Sequence, residues 1–128
     1  MRTPIQYALT YPHRSDGISR RLDIGRAFSL NFQPPDPQRF PALRLGYEVA
    51  AQRGTTAGAV FNAANEVAVE AFLKGDIRFG MISRIVELTM NSCGVRPEPT
   101  LADLLTADRQ ARETARGISE DEIDKVTR

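Results

Sequence analysis

The sequence predicts a mostly α-helical protein, with a four-helix bundle-like domain at residues 39–128 preceded by a short α/β segment and a proline-rich linker at residues 1–38. Three observations predict this fold class. Apolar residues recur at three- and four-residue spacing after residue 39, the period of an amphipathic helix. Glycines follow these stretches and are suited to ending helices. Five of the eight prolines precede residue 38 and exclude a long helix there.

The first 38 residues are predicted to hold one short helix and one strand. Thr3 is a candidate cap and Pro4 the first helical residue of a helix that stops before Pro12. Residues 27–32, which read AFSLNF, alternate apolar with polar side chains as a half-buried strand does. No second strand is visible to pair with it, so we expect its sheet to come from outside the chain or from a second copy.

The first and third helices of the bundle are predicted over residues 41–53 and 81–90. Gly54 is positioned to end the first helix in a left-handed conformation, and the Cys93-Gly94 pair follows the third. The apolar positions that define their inward faces are Leu43, Tyr47 and Ala50 in the first helix, and Ile82, Ile85, Val86 and Leu88 in the third.

The second and fourth helices have the clearest boundaries. The second follows the candidate caps Thr55 and Thr56 and stops at Gly75, and the fourth opens with a capping box over 100–103 and stops at Gly117. Their apolar stripes comprise Val60, Phe61, Ala64, Val67, Ala68, Ala71 and Phe72 in the second helix, and Leu101, Leu104, Leu105, Ala111 and Ala115 in the fourth. The remaining tail at 118–128 is expected to be frayed or weakly helical.

Composition limits the classes of function. The 128 residues carry a net charge of +1, so no whole-molecule field attracts nucleic acid or an anionic membrane, and we expect neither as a partner. No apolar run approaches the roughly 20 residues that span a bilayer. The single cysteine, Cys93, excludes an intrachain disulfide and favours a reducing, cytoplasmic location.

Candidate catalytic and metal-binding residues are few. The sequence contains no GxGxxG, Walker A, GxSxG, HExxH or CxxC motif. His13 is the only histidine and would need a nucleophile or an orienting carboxylate; Cys93 is more typical of a small buried hydrophobe. The acidic residues 120–124 lack the glycine and the spacing of a calcium loop. We therefore predict no catalytic and no metal-ligating residue in this chain.

The NAANE segment places Asn62, Asn65 and Glu66 on a common side of the second bundle helix. Polar amides beside an apolar stripe need hydrogen-bond partners. We expect Asn62 or Asn65 to bond the backbone of a neighbouring helix end or of the 55–60 turn, and so to fix helix packing. A binding role for these residues is the alternative.

Several stretches carry a family resemblance. MRTPIQYALTYPHR resembles the MRxPIQYALTYPxR segment of 1-deoxy-D-xylulose 5-phosphate reductoisomerases. The stretch LDIGRAFSLNFQPPDPQRFPALRLGYEVAAQRG is similar to the family's LD…LxF…PDxxRFPxLxLA…G, and FNAANEVAVEAFLKGDIRF to its LNAANEVAVxAFLxxxIxF. TLADLLTADRQARETAR resembles the family's terminal helix. The chain departs from the family pattern at 46–47, at 57–58 and in its longer tail.

The resemblance implies an activity and a place within a longer enzyme. Family members convert 1-deoxy-D-xylulose 5-phosphate to 2-C-methyl-D-erythritol 4-phosphate, in non-mevalonate isoprenoid biosynthesis, by rearrangement and hydride transfer from NADPH. A divalent metal, Mg²⁺ or Mn²⁺, holds the substrate oxygens. Residues 1–38 would then be a remnant of the catalytic domain plus the linker, and residues 39–128 the C-terminal helical domain.

The resemblance also limits which site residues this chain can supply. The family's nucleotide-binding turn, metal ligands and substrate-binding residues lie upstream of the MRxPI motif, and only Met1 matches a cofactor-binding position, near the nicotinamide. We expect the chain alone to bind no cofactor, to be inactive, and to pair with the upstream catalytic and NADPH-binding domains. Association into a homo-oligomer through exposed apolar surface is a further expectation. The alternative is a free-standing helical interaction module that binds a protein partner.

Overall fold

The computed structural model describes residues 2–17, 19 and 22–127, with side chains as far as residue 122. It contains the helices α1 (Arg2–Thr10), α2 (Pro41–Ala51), α3 (Ala57–Lys74), α4 (Phe79–Ser92) and α5 (Leu101–Thr127). The chain divides into two compact units, the first ending at Pro34 and the second beginning at Pro35. The mostly α-helical class is therefore confirmed. Across the described residues, no helix is both long enough and apolar enough to cross a membrane.

The first unit is organised around α1, which begins at Arg2 rather than after the predicted cap, Thr3. The Gln6 amide donates hydrogen bonds to the carbonyl oxygens of Ser15 and Asp16, at 2.9 and 3.0 Å. These bonds fold the following turn back onto the helix. No described residue of α1 is buried, so the helix depends on such local contacts rather than on a core.

The strand at residues 27–32 stays a prediction, because it was expected to pair with a sheet supplied from outside the chain or by a second copy. Residues 27–32 have no regular secondary structure, and the described part of the chain contains no strand that could pair with them. A strand needs a partner to take up its backbone N–H and C=O groups. The alternation of apolar and polar side chains at residues 27–32 is present in the sequence, but the described residues do not supply that partner.

The core of the second unit lies around α3, which packs against both α4 and α5. The described buried residues of its main cluster are Leu45, Ala64, Val67, Ala68, Ile77, Ile85, Val86 and Ala115. Gly75 ends α3 at φ 85°, as its position in the sequence predicted. Its amide donates to the carbonyl oxygens of Ala71 and Phe72, two of the groups that a helix end leaves without partners.

Small side chains allow α3 and α5 to pack closely. Ala63 and Ala64 of α3 and Ala111 and Ala115 of α5 are completely buried. Because each of these four side chains is a single methyl group, the two helix backbones can approach each other closely. We call these four residues the alanine seam.

The orientation of α2 differs from the prediction. Leu45 is its only buried residue, 1% exposed, whereas Leu43 and Tyr47 of the predicted inward face are 42% and 70% exposed. Arg44 links α2 to α4 by an ion pair of 2.5 Å to Glu87, and it also pairs at 2.5 Å with Glu48 within α2. The periodicity was helical, but the helix contacts the bundle through a different face. An apolar face of α2 is thus left exposed.

Helix α5 begins as predicted and ends later than predicted. Thr100 and Asp103 form the capping box: the Thr100 amide donates to Asp103 at 2.9 Å, and the Asp103 amide to the Thr100 hydroxyl at 3.2 Å. The predicted stop at Gly117 is wrong, because the helix extends to Thr127, and of the two expectations for the tail the frayed one is wrong. Ile118 packs on the core and Ser119 is buried, and this burial offsets the roughly 1 kcal/mol that a mid-helix glycine costs.

The exposure of α5 also corrects its predicted apolar stripe. Ala111 and Ala115 are buried as expected, but Leu101 and Leu105 are exposed. The narrow alanine seam, rather than a stripe of leucines, is the face that α5 presents to α3.

The start of α3 is held by the loop between α4 and α5. The Thr55 hydroxyl accepts a hydrogen bond from the Ala57 amide at 3.2 Å, but Thr55 precedes the N-cap position, and Thr56 at that position makes no side-chain bond to the helix. The Thr56 hydroxyl instead accepts from the Arg96 amide at 2.9 Å, and Thr55 forms an antiparallel bridge with Pro97. Neither predicted cap therefore forms a side-chain N-cap: Thr55 bonds the first helical amide from the residue before the cap, and Thr56 ties the helix to the loop.

Candidate docking surface

A groove of about 350 Å³ opens between the start of α2, the middle of α3 and the start of α4. Its floor is apolar and includes Leu45 and Val86, both buried members of the core. The residues that line it are Arg39, Phe40, Pro41, Ala42, Leu45, Phe61, Asn65, Val69, Phe79, Gly80, Ile82, Ser83 and Val86. We call this feature the α2–α4 groove.

Two helix starts open onto the α2–α4 groove. Phe40 precedes α2 and Arg78 precedes α4, and neither side chain caps its helix. The first-turn amides of Ala42 and Gly80 have no acceptor among the described residues, since helix starts leave these groups unpaired. Each start also carries the positive end of a helix dipole. The groove therefore combines an apolar floor with a positive, hydrogen-donating edge.

Arg39 and Asn65 add polar side chains to the groove. The Arg39 guanidinium lies 5.6 Å from the centre of the Phe40 ring, and no carboxylate among the described residues pairs with it. The Asn65 amide likewise has no hydrogen-bond partner in the described part of the chain. Asn65 is half-buried, so water reaches it. Both side chains are available to a molecule seated in the groove.

Asn62 and Glu66 belong to a different contact, between α3 and α5. The Asn62 amide donates to Glu66 at 2.9 Å, and Arg112 donates to Glu66 at 2.7 Å and to Asp108 at 2.8 Å. The Arg112 guanidinium, and then the Asn62 amide, lower the pKa of Glu66, while Arg112 also lowers the pKa of Asp108. The predicted backbone partner of Asn62 was therefore wrong, because its partner is a side chain of the same helix.

The other candidate residues stay apart from one another. His13 lies in an exposed turn, and Cys93 is half-buried with its thiol 3.9 Å from the Thr114 hydroxyl. Within the described residues, no group of three histidines, cysteines or carboxylates could hold a metal ion, and this includes the described part of the acidic segment 120–124. Met1, the predicted cofactor-binding residue, lies outside the described residues.

The α2–α4 groove was missed by sequence reasoning, although the sequence carries a signal for it. Residues 40 and 78 precede helices that were predicted to begin nearby, and neither is Ser, Thr, Asp or Asn. Uncapped helix starts leave their first amides to other acceptors, so the sequence marks two places where backbone donors stay open to solvent or to a bound group. Their closeness in space follows from the bundle topology, which the residue pattern alone does not give.

The fold and the groove define a helical-bundle domain, in which a compact bundle presents an apolar surface edged with hydrogen-bond donors. Comparison with known proteins gives the family. The family model described as the DXP reductoisomerase C-terminal domain matches residues 1–114, and the chain belongs to that family.

Similar proteins show the extent of the match. The chain is 51% identical over 116 residues to the 1-deoxy-D-xylulose 5-phosphate reductoisomerase of Nitrosomonas eutropha, which covers 91% of this chain and 28% of that protein. It is 50% identical over 120 residues to the enzyme of the same name in Rhodopirellula baltica, covering 94% of this chain and 26% of the relative. The chain thus spans less than a third of each of these relatives.

Solved structures agree with the sequence matches. The reductoisomerase from Zymomonas mobilis in complex with NADPH superposes with a TM-score of 0.76 at 38% identity, over 92% of this chain and 31% of that one. A DOX-P reductoisomerase in complex with NADPH, fosmidomycin and magnesium superposes with a TM-score of 0.69 at 30% identity, over 99% of this chain and 32% of that one. The family resemblance expected from the sequence motifs is confirmed.

Proposed function

We propose that this chain acts as the C-terminal portion of a 1-deoxy-D-xylulose 5-phosphate reductoisomerase and has no turnover of its own. Its helical domain would brace the catalytic part of the enzyme, which rearranges 1-deoxy-D-xylulose 5-phosphate and reduces the product with NADPH. The observation that carries the proposal is the match itself: 51% identity over 91% of this chain, confined to 28% of the relative.

The surface of the second unit supports a bracing role. Leu43 and Tyr47 leave an apolar face of α2 in solvent, and Phe79 is exposed at the start of α4. Exposed apolar residues that cluster on one side of a small domain are typical of an interaction surface. A domain evolved to pack on a larger partner would carry such residues, because that partner would cover them.

The described residues do not fit the cofactors of the family. No cluster among them could ligate a divalent metal, and the sequence has no glycine-rich turn of the dinucleotide-binding kind. We therefore assign no step of the reaction to this chain and expect NADPH and metal to be held upstream. With one half-buried cysteine, Cys93, and relatives that are biosynthetic enzymes, we also propose a cytoplasmic location.

A chimera tests the proposed function. The matched C-terminal residues of the Nitrosomonas eutropha enzyme are replaced by this chain, and NADPH oxidation is followed with 1-deoxy-D-xylulose 5-phosphate as substrate. We expect turnover by the chimera, none by this chain alone, and none by the relative truncated before the matched region. Turnover by this chain alone would contradict the proposal, as would a folded chimera that has none.

The exposed face of α2 also favours a second candidate, a free-standing interaction module. In that case the chain binds a protein partner in trans or associates with itself. Light scattering distinguishes the two functions: a module that self-associates gives a larger particle by itself, whereas a bracing domain keeps the size of one chain until it is joined to the catalytic region.

A further inference from the structure

We infer that the α2–α4 groove receives an acidic segment of the upstream catalytic region, with one apolar side chain on the groove floor and one carboxylate at its positive edge. The inference rests on the proposed function, since it names the part of the partner that this domain contacts. Three features of the groove and of the chain support it.

The first feature is charge complementarity. The starts of α2 and α4 both open onto the groove without a side-chain cap, and the Arg39 guanidinium beside them forms no ion pair among the described residues, although its backbone amide donates to Asp36. By contrast, Arg44, Arg96 and Arg112 each form an ion pair within the bundle. A carboxylate satisfies both a guanidinium and the amides at a helix start, so an acidic group fits this edge better than a neutral or basic one.

The second feature is the shape and polarity of the floor. Leu45 and Val86 lie at its base, and Phe61 and Ile82 contribute further apolar surface. A volume of about 350 Å³ accommodates one large aliphatic or aromatic side chain with its adjoining backbone. The Asn65 amide, which has no partner in the described structure, can hydrogen-bond that backbone.

The third feature is the length of protein that this chain lacks relative to its family. The matched relatives extend well beyond it, since the chain covers 28% of the Nitrosomonas eutropha enzyme. The remaining part of such an enzyme is the most direct source of a covering segment, because it is joined to this domain and is present at high local concentration.

Hydrogen exchange in the chimera described above tests whether the groove is covered. The amides of Ala42, Phe79 and Gly80 have no intrahelical acceptor and should exchange freely in the 128-residue chain. We expect about tenfold slower exchange at these amides in the chimera, and no change at Gly58, in the first turn of α3. Unprotected groove amides in a chimera that turns over substrate would overturn the inference and leave the proposed function intact.

Matched substitutions test the chemistry of the occupant. Ala42, Gly58 and Gly80 each occupy the second position of a helix, and a Cβ atom added at Gly58 or Gly80 meets no atom within 4 Å. Glutamate at such a position favours its own helix, so A42E, G58E and G80E should each leave the isolated chain as stable as before or more so. Only A42E and G80E place a carboxylate in the groove.

In the chimera we expect A42E and G80E to abolish the exchange protection, and G58E to preserve it. Arg39→Glu should also abolish it, without a change in the fold of the isolated chain. The inference would be overturned if G58E and G80E had the same effect on the exchange protection of the groove amides. It would also be overturned if these amides were protected in the isolated chain and the protection grew with protein concentration, since a second copy would then be the occupant. Protected amides in an inactive chimera would support docking and contradict the proposed function.

Discussion

Leu45→Ala should separate α2 from the bundle. Leu45 is the only buried residue of α2 and belongs to the main core cluster. The substitution removes three carbon groups, worth about 2.4 kcal/mol at 0.8 kcal/mol each, and adds a term for the cavity that remains. Because Leu45 also lines the α2–α4 groove, part of that space is open to water, and we expect a total loss of about 3 kcal/mol.

Urea unfolding followed by far-ultraviolet circular dichroism measures this loss. Leu73→Ala is the matched control, since it deletes the same atoms from a side chain that is 77% exposed, and it should cost less than about 0.5 kcal/mol. A loss of several kcal/mol confined to L45A agrees with the packing described here. Equal losses for L45A and L73A would refute this packing, because the buried leucine would then add no more to the free energy of unfolding than the exposed one.

Three further predictions concern α5. Because Glu66 and Asp108 have lowered pKa values in the folded chain, the stabilisation they provide is present above their ordinary values near 4.5 and 3.8 and is lost as the pH falls further. With Arg112→Ala, the free energy of unfolding should therefore fall less steeply as the pH is lowered on the acid side. An unchanged slope would contradict the assignment of these ion pairs. Thr100→Ala should cost about 1 kcal/mol in urea unfolding through loss of the cap, whereas an effect near zero would argue against the capping box. Gly117→Ala should stabilise by up to about 1 kcal/mol and raise the Tm by several degrees in calorimetry, and a lower Tm would show that the helix needs glycine there.

Sequence patterns predicted the helices of the bundle because their signals are local. The capping box at Thr100 and Asp103 and the left-handed stop at Gly75 depend only on residues a few positions apart. The helical period of α3 is equally local, and its stripe includes residues that the structure buries, such as Ala64 and Val67. These elements would be recognisable in any chain that carried them.

Sequence patterns did not predict the features of the fold that tertiary contacts determine. In α2 the residues at helical spacing, Leu43 and Tyr47, face solvent, because the Arg44–Glu87 ion pair and the Leu45 contact set a different orientation. Gly117 is a sound stop signal by itself, but burial of Ser119 beyond it sustains the helix. The α2–α4 groove joins residues from three helices, so no single stretch of sequence encodes it.

The exposed apolar side chains of residues 27–32 have a consequence for handling the protein. Phe28, Leu30 and Phe32 are 54%, 69% and 88% exposed, and the six-residue stretch carries no charge and no proline. Short uncharged segments of this kind stack into cross-β fibrils when many chains meet. Concentrated stocks of the isolated 128-residue chain should therefore become turbid and bind amyloid dyes on storage, and a lysine in place of Leu30 should keep them clear.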